Sequence, residues 1–278
     1  MRPDAFWSEV GPLLGEELLA RPGSILYSGL DTLWRGSFYI MGYNPGGRLD
    51  VDGHGGSIRS AGLHEGPWSA YEHDCWQESC PGAGACTSRA ADQAICPKVH
   101  QRRVQVIART LGRSASEIFS ANAIFARSAT ADALDTGLSG NATVEDRCWS
   151  VHQWFLDIVR PELIETLGKG YGRSAFRLLM DRANVSEQDV LKLGLGGATD
   201  ARCFPGGFSL GEGREELRAI VIGVPHPSRF QTSAASLEEI GEIAKMAVQG
   251  VSLERYQQLT EGQRAIFHDG VLRPGQSS

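Results

Sequence analysis

Two apolar runs end in short polar loops, and this pattern constrains the fold more than any other feature of the sequence. The runs cover residues 37–41 and 219–222. They lead into Gly42-Tyr43-Asn44-Pro45-Gly46 and into Gly223-Val224-Pro225-His226-Pro227-Ser228-Arg229. Short apolar runs of this kind indicate buried strands, and open α/β sheets carry their active sites on the loops that leave the carboxyl ends of such strands. We therefore expect both loops at one edge of a sheet.

Strands and helices are predicted to alternate along the rest of the chain. The expected strands cover residues 37–41, 117–125, 162–167 and 217–223, and the expected helices cover residues 4–20, 98–111, 149–160, 173–183 and 237–248. This alternation predicts a parallel sheet with helices on both faces. The expected fold class is α/β, as one three-layer α/β/α domain with a four-stranded, mainly parallel sheet.

Length and composition agree with a compact domain. A chain of 278 residues with 41% hydrophobic content can bury the core of one large domain over residues 1–278. A Gly-rich and Cys-rich segment at about 48–97 is expected to be an irregular insertion, and residues 270–278 are expected to form a frayed tail. We find neither an apolar run of about 18 residues nor a basic-then-apolar start, and so expect a protein of the cytoplasm without a membrane span. We also expect the protein to be a monomer.

The two loops and the strand between them resemble the uracil-DNA glycosylase superfamily. Motif one reads Gly-x-Asn-Pro-Gly in the mismatch-specific and single-strand-selective branches, as residues 42–46 do, and motif two reads His-Pro-Ser, as residues 226–228 do. The run around Asn122 is similar to the strand that carries the family's base-reading asparagine. The resemblance spans about residues 37–249, with 48–97 unmatched, and it implies the glycosylase-like α/β fold.

This resemblance implies a monofunctional DNA glycosylase, which flips out a pyrimidine, hydrolyses its N-glycosidic bond and leaves an abasic site. His226 would donate a hydrogen bond to the pyrimidine oxygen on which negative charge develops. Asn44 would hold the attacking water, and because an amide cannot take a proton, we expect a slow enzyme. Catalysis of this kind requires no metal or other cofactor.

The same resemblance supplies candidate contacts to the base and to the DNA. Asn122 would read the Watson-Crick edge of the extruded base, and its amide can rotate to face a uracil-like or a cytosine-like edge. The candidate base-binding residues are Gly42, Tyr43, Gly46 and Asn122. The candidate DNA-binding residues are Pro45, Pro227, Ser228 and Arg229, and either Arg229 or Phe230 is the candidate wedge that fills the vacated stack.

Gly46 differs from the strict uracil branch, which has a tyrosine there that blocks the C5 side of the pyrimidine. Glycine would leave this side open to uracil or to a 5-modified pyrimidine, unless it only serves turn geometry. An alternative is a glycosylase for a hypermodified base, such as glucosylated cytosine, acting in phage defence. An alternative of another class is a catalytically degenerate DNA-binding module. The joint presence of Asn44, Asn122 and His226 argues against this alternative.

Charge and cysteines leave two further questions open. A net charge of −6 is unusual for a general nucleic-acid binder, although clusters at Arg102, Arg103, Arg109 and Arg113 and at Arg173, Arg177 and Arg182 are candidate phosphate contacts or solvated helix faces. Cys75, Cys80, Cys86 and Cys96 are close together, but their spacing fits no familiar zinc or iron-sulfur pattern. We favour reduced free thiols over a structural metal on these four residues.

Overall fold

A computed structural model describes residues 1–36, 38–46, 56–74, 99–134, 136–139, 142–194, 200–226 and 234–248. Its α-helices are α1 (Pro3–Leu19), α2 (Ala70–His73), α3 (Val99–Thr110), α4 (Val144–Val159), α5 (Ala175–Arg182) and α6 (Ala234–Val248). Its strands are β1 (Phe38–Gly42), β2 (Phe119–Asn122), β3 (Leu163–Leu167), β4 (Leu191–Gly194), β5 (Asp200–Phe208) and β6 (Leu217–Val224). Within these ranges no helix is long and apolar enough to cross a membrane.

The six strands form one mixed sheet in the order β2-β1-β3-β6-β5-β4. The four predicted strands are all present, and β2, β1, β3 and β6 run parallel to one another. β5 runs antiparallel to both β6 and β4. The α/β class is therefore confirmed, whereas the prediction of a four-stranded sheet is wrong.

The sequence of β5 explains why its strand was missed. It contains Pro205 followed by Gly206 and Gly207, and these residue types are depleted in strands. Pro205 is tolerated because β4 pairs only with residues 200–203 of β5, so the second half of β5 lies at a sheet edge. β4 itself has only four residues, too few for a clear periodic pattern.

Local signals set the helix boundaries. α4 begins at Val144, earlier than predicted, because the Thr143 hydroxyl caps the helix by accepting a hydrogen bond from the Asp146 amide at 3.1 Å. α1 follows its predicted range but is interrupted at Gly15, whose φ of 76° lies outside the helical region. Leu14 and Leu18 are buried on either side of this interruption, so both parts of α1 face the core.

Helices cover both faces of the sheet. On one face, α1, α4 and α5 pack against a cluster that includes Tyr39 and Met41 of β1. On the other, α3 and α6 pack against a cluster that includes Ile40 of β1 and Ile222 of β6. We call the second face the α3 face. A sheet covered on both sides has no strand residue that faces water from its centre, so polar residues there need a specific explanation.

His152 of α4 is fully buried and connects the first two strands. The Tyr39 hydroxyl donates a hydrogen bond to Nδ1 at 2.9 Å, and Nε2–H donates to the carbonyl oxygen of Ala123 at 3.0 Å. Burial lowers the pKa of His152 to about 4, so the ring is neutral at pH 7. A neutral ring that donates from Nε2 accepts at Nδ1, which makes the Tyr39 hydroxyl the donor. The ring thus anchors β1 and the end of β2 to α4.

We expect the free energy of unfolding to fall as the pH drops from about 6.5 to about 4. In that window unfolded His152 binds a proton and the folded residue does not. His152→Gln should lower stability at pH 7 by about 1–3 kcal/mol, because it leaves buried groups incompletely paired, and should also weaken the pH dependence. Urea denaturation at several pH values measures both effects, with the exposed His73→Gln as control. An identical pH dependence in wild type and His152→Gln would contradict the assignment.

Candidate functional site

Four parallel strands direct their following loops to one edge of the sheet. β1 is followed by residues 43–46, β2 by Ala123, β3 by Gly168 and β6 by Pro225 and His226. β3 lies between β1 and β6, which separates the loops bearing Asn44 and His226 by about 10 Å. We call this the carboxyl edge. β1, β3 and β6 are parallel, so Asn44 and His226 follow strand ends at the same edge of the sheet.

The loop after β1 is held in place by the loop after β2. The amides of Ala123 and Ile124 donate to the carbonyl oxygens of Gly42 and Tyr43 at 2.8 and 2.7 Å. The Ser128 amide donates to the carbonyl oxygen of buried Pro45 at 3.2 Å. Backbone bonds of this kind fix the path of the Asn-Pro-Gly segment without using the side chains of its polar residues.

The Asn44 side chain has a fixed orientation. Its Nδ2 donates to Ser128 Oγ at 2.9 Å and to the carbonyl oxygen of Pro45 at 3.0 Å. Ser128 Oγ in turn donates to the carbonyl oxygen of Thr130 at 2.6 Å. These bonds occupy the amide nitrogen, so the chemistry left to Asn44 is acceptance of a hydrogen bond at Oδ1. Ser128, which is buried, is a positioning residue that no motif singled out.

Asn122 is more deeply buried than Tyr43, Asn44 and His226, the other predicted site residues with polar side chains that the structure describes. It is 5% exposed, and its Oδ1 occupies the space that a side chain on Gly42 would fill. Gly42 thus serves Asn122 through this close approach. Nδ2 of Asn122 is buried and forms no hydrogen bond to a described residue. Buried amides are almost always hydrogen-bonded, so this donor is suited to a ligand.

Gly46 is exposed at the rim of the same loop. Among the described residues, apart from the chain neighbours, no heavy atom lies within 4 Å of a Cβ added there, and the φ of Gly46 lies outside the left-handed region. Glycine is therefore not needed for backbone geometry at this residue. This observation disfavours the interpretation that Gly46 serves turn geometry only. It favours the interpretation that Gly46 leaves space beside the pyrimidine.

His226 is partly buried and lies beside the loop after β3. A Cβ added at Gly168 would be 3.8 Å from His226 Cδ2. On the α3 side, the His100 ring contacts His226 edge to face, with centroids 5.3 Å apart. Burial, with further contributions from His226 and Arg103, lowers the pKa of His100 to about 3. His100 is therefore a neutral neighbour of His226.

Two tyrosines extend this group of rings toward Asn122. Tyr71 of α2 lies 5.9 Å from His100 and 5.8 Å from Tyr27, centroid to centroid. Burial raises the pKa of the Tyr27 phenol, and the neighbouring Asn122 amide lowers it in part, although Asn122 Nδ2 is not aligned for a hydrogen bond to the phenol oxygen. The α3 face thus carries a continuous layer of aromatic and histidine rings between Asn122 and His226.

Glu165 lies on the same face, in the middle of β3. It is 2% exposed, and neither of its carboxyl oxygens has a hydrogen-bond partner among the described residues. Burial raises its pKa to about 8, so the carboxyl is mostly uncharged at pH 7. An acid in this position was not predicted as a site residue, because Leu163-Ile164-Glu165-Thr166-Leu167 was interpreted only as a strand.

Several predicted residues lie outside the described ranges. Pro227, Ser228 and Arg229 are among them, as are the four clustered cysteines Cys75, Cys80, Cys86 and Cys96. In the part of the chain that is described, no group of three or more His, Cys, Asp or Glu residues has the arrangement of a metal site. The expectation that these four cysteines are reduced free thiols stays a prediction.

The second arginine cluster is engaged with other parts of the protein. Arg177 pairs with Asp181 and Glu187, Arg182 pairs with Glu145 and Asp146, and Arg173 donates to backbone carbonyls of residues 131, 132 and 134. Exposed pairs of this kind contribute little stability, but they reduce the positive charge that a phosphate would meet. These contacts favour the interpretation that this arginine cluster is a solvated helix face rather than a set of phosphate contacts.

Two grooves occur at the opposite end of the sheet, where the parallel strands begin. They are lined by Glu162, Glu216 and Arg218, together with neighbouring residues of β5, β6 and the loop before β3. We call them the amino-edge grooves. They contain none of the predicted site residues, and their charged side chains are of both signs, which offers no patch for an anionic backbone.

No protein-family model matches the chain, and no curated protein matches it either. Membership of the uracil-DNA glycosylase superfamily is therefore a proposal that depends on residues 42–46, Asn122 and residues 226–228.

Buried Glu165 gives a test of the α3 face that does not depend on activity. Unfolded Glu165 ionises near pH 4.5 and the folded residue near pH 8, so the free energy of unfolding falls as the pH rises from about 4.5 to about 8. Glu165→Gln cannot ionise, and we expect its stability relative to wild type to increase by on the order of 3 kcal/mol between pH 5 and pH 8. Chemical denaturation at both pH values measures this.

The exposed residue Glu162, which lies three positions earlier, provides the control for this measurement. Glu162→Gln should leave the pH dependence of stability unchanged. A stability difference between Glu165→Gln and wild type that is the same at pH 5 and pH 8 would contradict a raised pKa for Glu165.

Proposed function

We propose that the protein is a monofunctional DNA glycosylase that extrudes a pyrimidine, hydrolyses its N-glycosidic bond and leaves an abasic site. The observation that carries the proposal is Asn122: its buried donor lies at the carboxyl edge, in the same sheet as the loops of Asn44 and His226. The motif resemblance gives each of these three residues a role. We include in the proposal that the protein acts as a monomer of the cytoplasm.

The proposed reaction passes through a transition state with positive charge on the sugar and negative charge on the departing base. The bond between C1′ and the base nitrogen breaks, and its electron pair leaves with the base. His226 donates a hydrogen bond to the base oxygen that gains charge, where such stabilisation is most effective. Asn122 binds the polar edge of the base and holds it out of the helix.

Asn44 orients the water that attacks C1′. Its Nδ2 is bound by Ser128 and Pro45, so Oδ1 accepts a hydrogen bond from the water. An amide does not take the proton that the water loses, and this proton passes to solvent. The enzyme therefore depends on stabilisation of the leaving base more than on activation of the nucleophile, which fits slow turnover.

DNA is the proposed partner despite the net charge of −6. Loop backbone amides and a few side chains suffice to hold the phosphates around one extruded nucleotide. Pro45, Pro227, Ser228 and Arg229 are the proposed contacts, with Arg229 as the wedge.

A second candidate within this function is excision of a hypermodified pyrimidine, as in phage defence. The exposed, unobstructed position of Gly46 favours it, because a large group at C5 needs open space at the rim. The candidate of another class, a DNA-binding module without turnover, predicts binding without release of a base.

We expect His226→Ala to lower the single-turnover rate of base release by about 10²–10³-fold, because it removes a hydrogen bond that acts mainly in the transition state. Asn44→Ala should lower the rate by about 10-fold or more, through loss of water positioning. The assay uses oligonucleotides bearing uracil, 5-hydroxymethyluracil or glucosylated hydroxymethylcytosine. The matched control is His64→Ala, since exposed His64 stacks on Trp68 at 3.6 Å rather than on site residues. DNA binding without release of any base would favour the non-catalytic module.

Gly46→Tyr should preserve excision of plain uracil while lowering excision of bases with bulky 5-substituents by about 100-fold or more, because the ring would occupy the space that the substituent needs. The backbone accepts a side chain here without strain. Gly46→Ala serves as the control for loss of glycine itself. If Gly46→Tyr still removes the bulky base at the wild-type rate, the selectivity is set elsewhere.

A further inference from the structure

Buried polar atoms without a hydrogen-bond partner gather on the α3 face. Among the described residues they include Ser120 Oγ, Asn122 Nδ2 and both carboxyl oxygens of Glu165. Ile40 pairs with Ser120 on one side and with Glu165 on the other, so these three residues form one row across the sheet. Asn122 lies on the same face, in the next row toward the carboxyl edge. The row below the proposed base site therefore contains two polar side chains, Ser120 and Glu165, on either side of Ile40.

Packing does not account for an acid at this position. The neighbours of Glu165 on its own face of β3 are Leu163 and Leu167, and both belong to the hydrophobic cluster on the α3 face. An apolar residue would avoid the cost of burying a carboxyl that has no hydrogen-bond partner among the described residues. Such a cost is typical of a group that meets its partner only when a ligand binds.

We propose that Glu165, in its uncharged form, forms the floor of the base site and donates a hydrogen bond to a keto oxygen of the extruded pyrimidine. The inference rests on the proposed function and adds to it a base-contacting residue and a substrate class. The neutral acid keeps its proton throughout, so no proton transfer is involved. Its role is to stabilise the negative charge that the departing base gains.

Charge explains why the uncharged form is required. An ionised carboxylate on this face would repel the departing anion, whereas a neutral O–H group donates to it. Asn122 Nδ2 is a second donor on the same face. Two donors suit a pyrimidine with keto oxygens at its polar edge, as in uracil derivatives. The 4-amino group of cytosine is itself a hydrogen-bond donor and would face these two donors without an acceptor between them, so cytosine derivatives are disfavoured.

Other titratable groups also belong to the α3 face, and Glu165→Gln separates their effects from that of Glu165. They are Tyr27, Tyr71 of α2, His100 and Arg103 of α3, Cys203 of β5, and His226; on α6, Lys245 pairs with Glu242. Burial raises the pKa of both tyrosines and lowers that of His100. Cys203 lies in the same row as Glu165 but two strands away, on the far side of Ile222.

The test is the pH profile of single-turnover excision between pH 6.5 and 9. The substrates are oligonucleotides with 5-hydroxymethyluracil or 5-hydroxymethylcytosine, which differ at C4. Wild type should release the uracil derivative at least about 10-fold faster, and its rate should fall about 10-fold per pH unit above about pH 8. Glu165→Gln keeps a donor but cannot ionise, so its rate should be lower than that of wild type at pH 7 and flat up to pH 9. Glu165→Leu should lose about 10–100-fold at pH 7, where wild-type Glu165 is mostly uncharged.

Ile164→Val, on the same strand but the opposite face, is the control and should behave as wild type. The same alkaline fall in Glu165→Gln as in wild type, or equal release of both bases, would overturn the inference while leaving the proposed function intact. Wild-type protein that releases no base from any oligonucleotide would instead refute the proposed function. If Glu165→Leu does not fold, the profile of Glu165→Gln decides the question.

Discussion

The parallel pairing of β1 with β2 and β3 is the constraint on which the site depends. Gly42 pairs with Asn122, and Met41 pairs with Thr166, so the ends of three strands are held in one register. A shift of one residue in either pairing would turn Asn122 or Glu165 to the opposite face of the sheet. The missing side chain of Gly42 is part of this constraint, because Asn122 occupies its place. His152 and the loop after β2 keep the arrangement rigid from the outside.

Sequence reasoning predicted the parallel half of the sheet and the edge that bears the motifs, because β1 and β6 are apolar runs that end in polar loops. It missed β4 and β5, since Pro205, Gly206 and Gly207 contradict the usual composition of strands. It also missed Glu165 and Ser128 as site residues. An acid within an apolar run is normally interpreted as the solvent-facing member of a strand, although helices on both faces of the sheet, as predicted, bury it.

The polar atoms of the α3 face show how the fold balances stability and binding. Glu165, Ser120 and Asn122 keep buried hydrogen-bonding groups without partners among the described residues, while both ring nitrogens of His152 on the other face are hydrogen-bonded. The satisfied histidine contributes to stability, whereas the unsatisfied row lowers it. Such costs persist where a ligand compensates for them, and a flat pyrimidine with polar edges is a ligand of suitable chemistry.

The central claim is that one extruded pyrimidine contacts Asn122, Glu165 and His226 at the carboxyl edge. A crystal structure with DNA that carries a non-cleavable 2′-fluoro nucleotide of 5-hydroxymethyluracil tests it most directly. We expect the base out of the helix, with its polar edge within hydrogen-bond distance of Asn122 Nδ2, a keto oxygen near Glu165, and a second oxygen near His226. A base that stays stacked in the DNA, or that binds in the amino-edge grooves, would contradict the claim.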